Sequence, residues 1–136
     1  MDTGSNPARN YSENYQSGPL SFEFFFKGKK LITNSGYFQD HNHQLNLISK
    51  STATHSTLIL DNSSTCNFKK NSKGPSIVTK GFKTFDNEVT YEKNYWGIKC
   101  SHDGYLSEYG VIHQRNIEFD INKFTLFGKE KLIKKN

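Results

Sequence analysis

Apolar and polar side chains alternate along much of this sequence, and the alternation is clearest over residues 20–27. Leu20 and three Phe residues fill the even positions there, whereas Ser, Glu and Lys fill most of the odd ones. Successive side chains of a β-strand point to opposite faces, so a period of two places one apolar row on one face. Gly28 follows, and we predict a turn at this residue into a second strand over 29–34.

Further segments of strand character are separated by turn residues. They cover residues 56–60, 76–82, 88–92, 95–101, 110–120 and 123–127. Helical spacing occurs only as a weak pattern over 45–48, inside the polar segment 37–50, which we interpret as a connection. Many short strands with closely spaced turns are typical of an antiparallel sandwich. The sequence therefore predicts an all-β fold, an antiparallel β-sandwich, as a single domain over residues 1–136.

Composition excludes several classes of protein. Aromatic residues reach 14% although the apolar fraction is only 33%, and disordered chains are poor in aromatic residues. No apolar stretch approaches the length of a membrane span. The net charge of +5 comes almost entirely from lysine, since Arg9 and Arg115 are the only arginines. Without an arginine-rich stripe or a known binding motif, we predict no nucleic-acid partner. Cys66 and Cys100 are too few for a disulfide framework or a thiolate zinc site.

Five short motifs occur in the order and spacing of one known family. They are GPLSFEF at 18–24, KLITNSG at 30–36, TATHSTL at 52–58, HDGY at 102–105, and YG with HQR at 109–115. In these motifs the chain resembles the C-terminal domain of heparinase II/III-like proteins. The resemblance extends over nearly the whole chain. Chance is a poor explanation for the agreement of five motifs in order and spacing.

The resemblance implies a polysaccharide lyase built from two parts, in which a helical N-terminal domain packs against a C-terminal β-sandwich. An acidic polysaccharide, either a sulfated glycosaminoglycan or an unsulfated uronate, would lie between them and be cleaved by β-elimination. Such a reaction needs a base for the proton beside the carboxylate and a group that neutralises that carboxylate. The resemblance places most of these groups in the helical domain. We therefore expect this chain to be a fragment, truncated at both ends, from a bacterial protein that is periplasmic or secreted.

The family's sandwich carries zinc, and the resemblance implies where its ligands would lie. The usual His-Gly-His pair falls on Gln16, Ser17 and Gly18, the usual aspartate falls on Asn34, and only His55 remains. Structural zinc takes about four nitrogen, sulfur or carboxylate ligands. We therefore predict a degenerate site at Asn34 and His55 and no metal cofactor.

His41 and His43 lie in the polar segment after the second strand, outside the family's ligand motif. We expect both imidazoles to be solvated, because histidines in polar loops usually are. The prediction of a lost metal site therefore does not change.

The remaining motif residues are candidates for contact with substrate. Catalytic candidates are His55, His113 and Arg115, and candidates for substrate binding are His55, His102, Tyr105, His113 and Arg115. His55 can also be a strand-end histidine bonded to its neighbours, and Asp-Gly turn chemistry alone accounts for the residues after His102.

His113 and Arg115 have the same parity on one predicted strand, so their side chains share a face. That row becomes apolar further along the strand, and an arginine in such a row is expected to be ion-paired. Alternatively, its planar guanidinium suits a uronate carboxylate.

Two functions of different classes fit these observations. The chain is either the substrate-facing β-domain of a heparinase-like lyase, or a non-catalytic carbohydrate-binding or structural sandwich. The degenerate metal motif favours the second reading, and the five motifs favour the first.

Overall fold

A computed structural model describes residues 1–71 and 74–135. The chain forms two compact units, Met1–Phe82 and Lys83–Asn136. Strands account for 44% of the residues and helices for 13%, and the sheets are antiparallel, which confirms the all-β prediction and is consistent with a sandwich. Within the described ranges, no helix is long and apolar enough to cross a membrane.

Among its described residues, the first unit contains two antiparallel strand pairs and one short α-helix. Its elements are a 3₁₀ turn Arg9–Tyr11, β1 Phe24–Phe26, β2 Lys29–Ile32, α1 Gln44–Lys50, a 3₁₀ turn Thr52–Thr54, β3 Asn67–Asn71 and β4 Gly74–Lys80. Strand β1 pairs with β2, and β3 pairs with β4. The core of this unit consists of Cys66, Val78 and Phe82, with Tyr15 and Phe68 packed against it.

The first strand is shorter than its alternating pattern predicts, because the backbone turns at Leu20. This residue has φ of 59°, in the left-handed region, and its side chain is fully buried. The N–H of Ser21 donates to the carbonyl of Gly18, which closes the turn. A left-handed leucine costs about 1–2 kcal/mol, an amount that burial of the side chain offsets.

No strand forms over 56–60, where the sequence predicts one. The Ser56 hydroxyl donates to the Phe22 carbonyl at 2.5 Å, and the Thr57 hydroxyl donates to the Pro19 carbonyl at 2.6 Å. Side-chain hydroxyls therefore tie this segment to its neighbours in place of a strand ladder.

The polar segment 37–50 contains α1, which the sequence indicated only weakly. The N-cap of this helix is His43, whose Nδ1 accepts the N–H of Leu45 at 3.1 Å.

The second unit is a four-stranded antiparallel sheet in the order β5-β6-β7-β8. Its elements are β5 Thr84–Glu92, β6 Tyr95–His102, α2 Leu106–Tyr109, β7 Val111–Asp120 and β8 Thr125–Lys134. The strands agree with the predicted segments, except that β5 begins earlier than residue 88 and β8 continues well past residue 127. Gly110 ends α2 with φ of 68°, a conformation that glycine adopts without strain.

The pairing register of this sheet brings distant polar residues together. His102 on β6 lies opposite His113 on β7, and Arg115 on β7 lies opposite Glu130 on β8. Since His113 and Arg115 share a face, as the sequence predicts, all four side chains are brought to one face of the sheet.

Candidate functional site

A pocket of about 330 Å³ in the first unit gathers positions that lie far apart in the sequence. The residues that line it include Gln16, Gly18, Asn34 and His55, together with the carboxylates Asp2 and Glu23. The resemblance implies that metal ligands of the family stood at positions 16, 18 and 34. His55 is the one ligand of that set that this chain retains. Folding therefore brings the degenerate site together in one place.

His55 contributes a buried imidazole nitrogen to this pocket. Its Nε2 has no hydrogen-bond partner among the described residues. Burial lowers the pKa of His55. This effect outweighs a hydrogen bond to the Ser49 backbone and the negative charge of Asp2, both of which raise the pKa. The ring is therefore neutral at neutral pH, with one nitrogen left for an additional partner.

The backbone of Gly18 lies directly against the His55 ring. A Cβ atom at position 18 would stand 2.8 Å from Cγ of His55 and 3.0 Å from Oγ of Ser21. No side chain fits at this position unless the ring moves. Glycine, rather than the histidine of the family motif, is therefore the residue that this arrangement requires.

Asn34 holds two segments of the first unit together. Its Oδ1 accepts the Ser56 N–H at 2.8 Å, and the Ser56 hydroxyl oxygen lies 3.1 Å from the same atom. Its own N–H donates to Oε1 of Glu23 at 3.2 Å, and the Thr33 hydroxyl donates to the same oxygen. These two bonds, the Asn34 N–H first, lower the pKa of Glu23. The amide thus acts as a structural tie.

The residues around this pocket do not fit a zinc ion. Gly18 has no side-chain ligand atom, and Oδ1 of Asn34 already accepts the Ser56 N–H. Within the parts of the chain that the structure describes, no group of three His, Cys, Asp or Glu side chains could hold a metal. The absence of bound zinc remains a prediction.

His41 and His43 lie elsewhere in the first unit. They line a separate pocket of about 390 Å³, whose lining does not include His55. Nδ1 of His43 is occupied as the cap of α1, so the three histidines do not form a joint ligand set.

A buried chain of hydrogen bonds crosses the sheet of the second unit. Nε2 of His102 lies 2.9 Å from Nδ1 of His113, and Nε2 of His113 lies 2.5 Å from Oε2 of Glu130. The other carboxylate oxygen of Glu130 accepts Nε of Arg115 at 2.6 Å. The expectation that Arg115 is ion-paired is confirmed.

One backbone amide fixes the direction of this chain. The N–H of Gly104 donates to Nδ1 of His102 at 3.1 Å, so a neutral His102 carries its proton on Nε2. That proton is donated to Nδ1 of His113, which in turn carries its own proton on Nε2 and donates it to Glu130. His102 is therefore neutral, and the negative charge of this chain of bonds is at the Glu130 end.

Burial accounts for the electrostatics of this cluster. Both histidine side chains are fully buried, whereas the Glu130 side chain is 38% exposed. Burial, followed by the influence of His113 and Arg115, lowers the pKa of His102 to about 3. Burial alone would raise the pKa of Glu130, but the His113 hydrogen bond and the Arg115 guanidinium outweigh it and lower the pKa.

The structure thus brings four of the five predicted site residues together, and His55 lies in the other unit. Tyr105 is 1% exposed, and its ring centroid lies 5.6 Å from that of His102. Arg115 is 7% exposed. A role of these residues in substrate binding stays a prediction, and it would require the buried cluster to open toward a substrate.

Sequence reasoning missed Glu130, which completes this cluster. The last predicted strand ended at residue 127, three positions before it. A signal was present, since the alternation of residues continues through Leu126, Gly128, Glu130 and Leu132 and predicts a longer strand on one face.

Lys50 is a second residue that the sequence did not single out. It is fully buried at the end of α1, where its Nζ donates to the carbonyls of Glu13 at 2.5 Å and Ser76 at 2.9 Å. The same ammonium lies 5.8 Å from the Tyr37 ring centroid and 5.6 Å from that of Phe68. These contacts hold the charge inside the first unit.

Comparison with known proteins agrees with the motifs and with the fold. No curated protein and no solved structure gave a match. The family model described as "Heparinase II/III-like, C-terminal" matches residues 1–136, the whole chain. The chain therefore belongs to the heparinase II/III-like family, as a C-terminal domain of that family.

Proposed function

We propose that this chain is the substrate-facing β-domain of a polysaccharide lyase that cleaves uronate-containing polysaccharide by β-elimination. The observation that carries the proposal is the family match over the entire chain. In the reaction, a base removes the proton beside the uronate carboxylate and the glycosidic oxygen leaves. The proposed partner is a helical domain of the kind that the resemblance implies, which supplies most of the groups for proton removal.

The pocket around His55 is the proposed contribution of this chain to the substrate site. Nε2 of the neutral imidazole is buried and has no partner among the described residues, so a local rearrangement that exposes it would let it bond a sugar hydroxyl or exchange a proton with it. Asp2 and Glu23 can accept hydrogen bonds from other hydroxyls of the same sugar. None of these roles requires a metal ion.

Nuclear magnetic resonance tests this placement at the level of single residues. Titration with an unsulfated uronate oligosaccharide should shift the His55 ring resonances and the amides of Gly18 and Asn34. A His55→Gln variant should abolish the shifts at Gly18 while the resonances of the second unit stay unchanged. If saturating oligosaccharide leaves the His55 ring unperturbed, the pocket is not the substrate site.

A specific observation also favours the second function, a non-catalytic carbohydrate-binding or structural sandwich. His102, His113 and Tyr105 are at most 1% exposed, so these three candidate acid–base side chains are not presented to a substrate. Under this alternative, oligosaccharide would bind without any turnover, even with the helical domain present. Under the lyase proposal, that combination forms unsaturated product.

A further inference from the structure

A second pocket of the first unit, of about 450 Å³, is lined by Arg9, Lys69, Lys70, Asn71 and Ile77. Three of these five side chains are cations. Its volume lies within the range of about 300–1,000 Å³ that is common for small-molecule sites. The lining shares no residue with the pocket around His55.

The cations of this pocket have no counter-charge in an ion pair among residues 1–71 and 74–135. In the part of the chain that the structure describes, none of the ion pairs involves Arg9, Lys69 or Lys70. Like charges brought together without a counter-charge repel each other and raise the local positive potential. An anionic ligand would relieve this repulsion.

The walls of the pocket are fixed in place by the fold. Lys69 of β3 and Ile77 of β4 are direct partners in the strand register. The 3₁₀ turn that carries Arg9 is held against β4 through Ser12, whose buried hydroxyl donates to the Arg9 carbonyl at 2.7 Å and accepts the Val78 N–H at 2.9 Å. The backbones of the arginine and of Lys69 are therefore preorganised, so less ordering is needed when a ligand binds.

We propose that this pocket binds the oxyanion group, sulfate or carboxylate, of an acidic sugar unit. Arg9 offers a planar guanidinium that suits a two-oxygen contact, and Lys69 and Lys70 add point charges. Asn71 can bond a sugar hydroxyl, and Ile77 presents an apolar surface to the C–H groups of the ring. A neutral sugar would leave the three charges unrelieved. This proposal depends on the proposed function in one respect, namely that the oxyanion belongs to a polysaccharide.

Matched charge variants test the proposal in the full chain. The pocket variant combines Arg9→Gln with Lys69→Gln. Its control combines Lys129→Gln with Lys131→Gln, which also removes two positive charges, but from exposed positions of β8. Affinity is measured by calorimetry at low ionic strength for a sulfated heparin oligosaccharide, an unsulfated alginate oligosaccharide and neutral dextran. The thermal unfolding midpoint of each variant checks that it is folded.

The pocket variant should bind the anionic oligosaccharides about tenfold more weakly than the wild type, while the control should change by less than about twofold. Arg9→Lys, which keeps the charge, should retain part of the affinity. Asn71→Ala should weaken binding without changing its salt dependence, since it removes a contact but no charge. The two oligosaccharides distinguish sulfate from carboxylate as the preferred group, and dextran should not bind.

Equal losses in the pocket variant and in the control would show that attraction is diffuse, and would overturn the proposal. So would unchanged binding in the pocket variant, or failure of the wild type to bind either anionic oligosaccharide. These outcomes are separate from the test of lyase function. If the pocket variant shows no selective loss of binding while product forms with the helical domain present, only the proposal for this pocket is wrong. If the pocket variant loses binding but no product ever forms, only the lyase proposal is wrong.

Discussion

Nε2 of His102 lies 2.9 Å from Nδ1 of His113, and both imidazoles are completely buried in the second unit. This contact exists because β6 and β7 pair with the two histidines directly opposite each other. The Gly104 N–H at one end and the Glu130 carboxylate at the other give every ring nitrogen a partner. Buried polar groups are stable only when they are satisfied in this way, so each end of the chain of bonds should matter for stability.

Replacement of Glu130 by alanine should destabilise the second unit. The variant leaves Nε2 of His113 without its acceptor and removes the ion pair between Glu130 and Arg115, which is 7% exposed. We expect a loss of about 2–3 kcal/mol, below the ~3–5 kcal/mol of a fully buried pair because Glu130 is partly exposed. Urea unfolding measures the free energy.

Glu88→Ala is the matched control for this variant. Glu88 also forms a salt bridge at 2.6 Å, with Lys99, but its side chain is 65% exposed. The expected loss is below about 1 kcal/mol. Equal losses in the two variants would mean that the buried network has no special weight.

The free energy of unfolding should fall as the pH is lowered from about 6.5. His102 in the unfolded chain takes up a proton below its ordinary pKa of 6.5, whereas in the folded protein its pKa is about 3. Between these values the unfolded state binds more protons, so stability decreases by at most about 1.4 kcal/mol per pH unit from this group. His55, whose pKa burial also lowers, adds to the slope.

Urea unfolding at a series of pH values down to pH 5 measures this dependence above the range in which carboxylates titrate. A His102→Gln variant should show a clearly shallower slope, even though it is less stable at pH 7. An unchanged slope in the variant would contradict the assignment of a neutral, buried His102.

Gly18→Ala should destabilise the first unit by about 1–3 kcal/mol, because the new Cβ would overlap the His55 ring. Gly97→Ala is the control, since a Cβ there meets its nearest atom at an ordinary 3.5 Å. This control should be neutral or slightly stabilising. Thermal unfolding compares the two variants, and a tolerated alanine at position 18 would show that the close approach of His55 is not a requirement.

The purified protein should contain far less than one zinc ion per chain. The pocket around His55 lacks a converging set of ligands, and a single imidazole with an amide is a poor zinc site. Elemental analysis after dialysis against zinc is the measurement, and a chelator should leave the thermal midpoint unchanged. Stoichiometric zinc that is lost in His55→Ala would contradict this prediction.

The sequence predicted the second unit well, because its strands are long and its turns are short. The period-two pattern over 110–120 placed His113 and Arg115 on one face, and the structure agrees. The ion pair of Arg115 was also predicted, but its partner was not. Which residue lies opposite Arg115 depends on the register of β8, and no local pattern encodes a register between strands.

The first unit was predicted less well, because side chains rather than strand ladders connect its segments. The Ser56 and Thr57 hydroxyls replace backbone pairing over 56–60. Ser and Thr also occur in strands, so the sequence pattern did not distinguish the two arrangements. Strand β3, Asn67–Asn71, is rich in Lys and Asn and carries no strand signal. The buried Lys50 depends on carbonyls and rings from distant segments, which local sequence does not reveal.

We propose that this chain is one domain of a lyase whose proton-abstracting groups lie mainly in a helical partner domain. β-Elimination leaves an unsaturated uronate, so ultraviolet absorbance follows turnover on heparan sulfate or alginate directly. The isolated chain should give no measurable product, while the chain together with the helical domain should. If the isolated chain formed unsaturated product, and His55→Ala or His113→Ala abolished it, the site would be self-contained. The proposal that the proton-abstracting groups lie mainly in a helical domain would then be wrong.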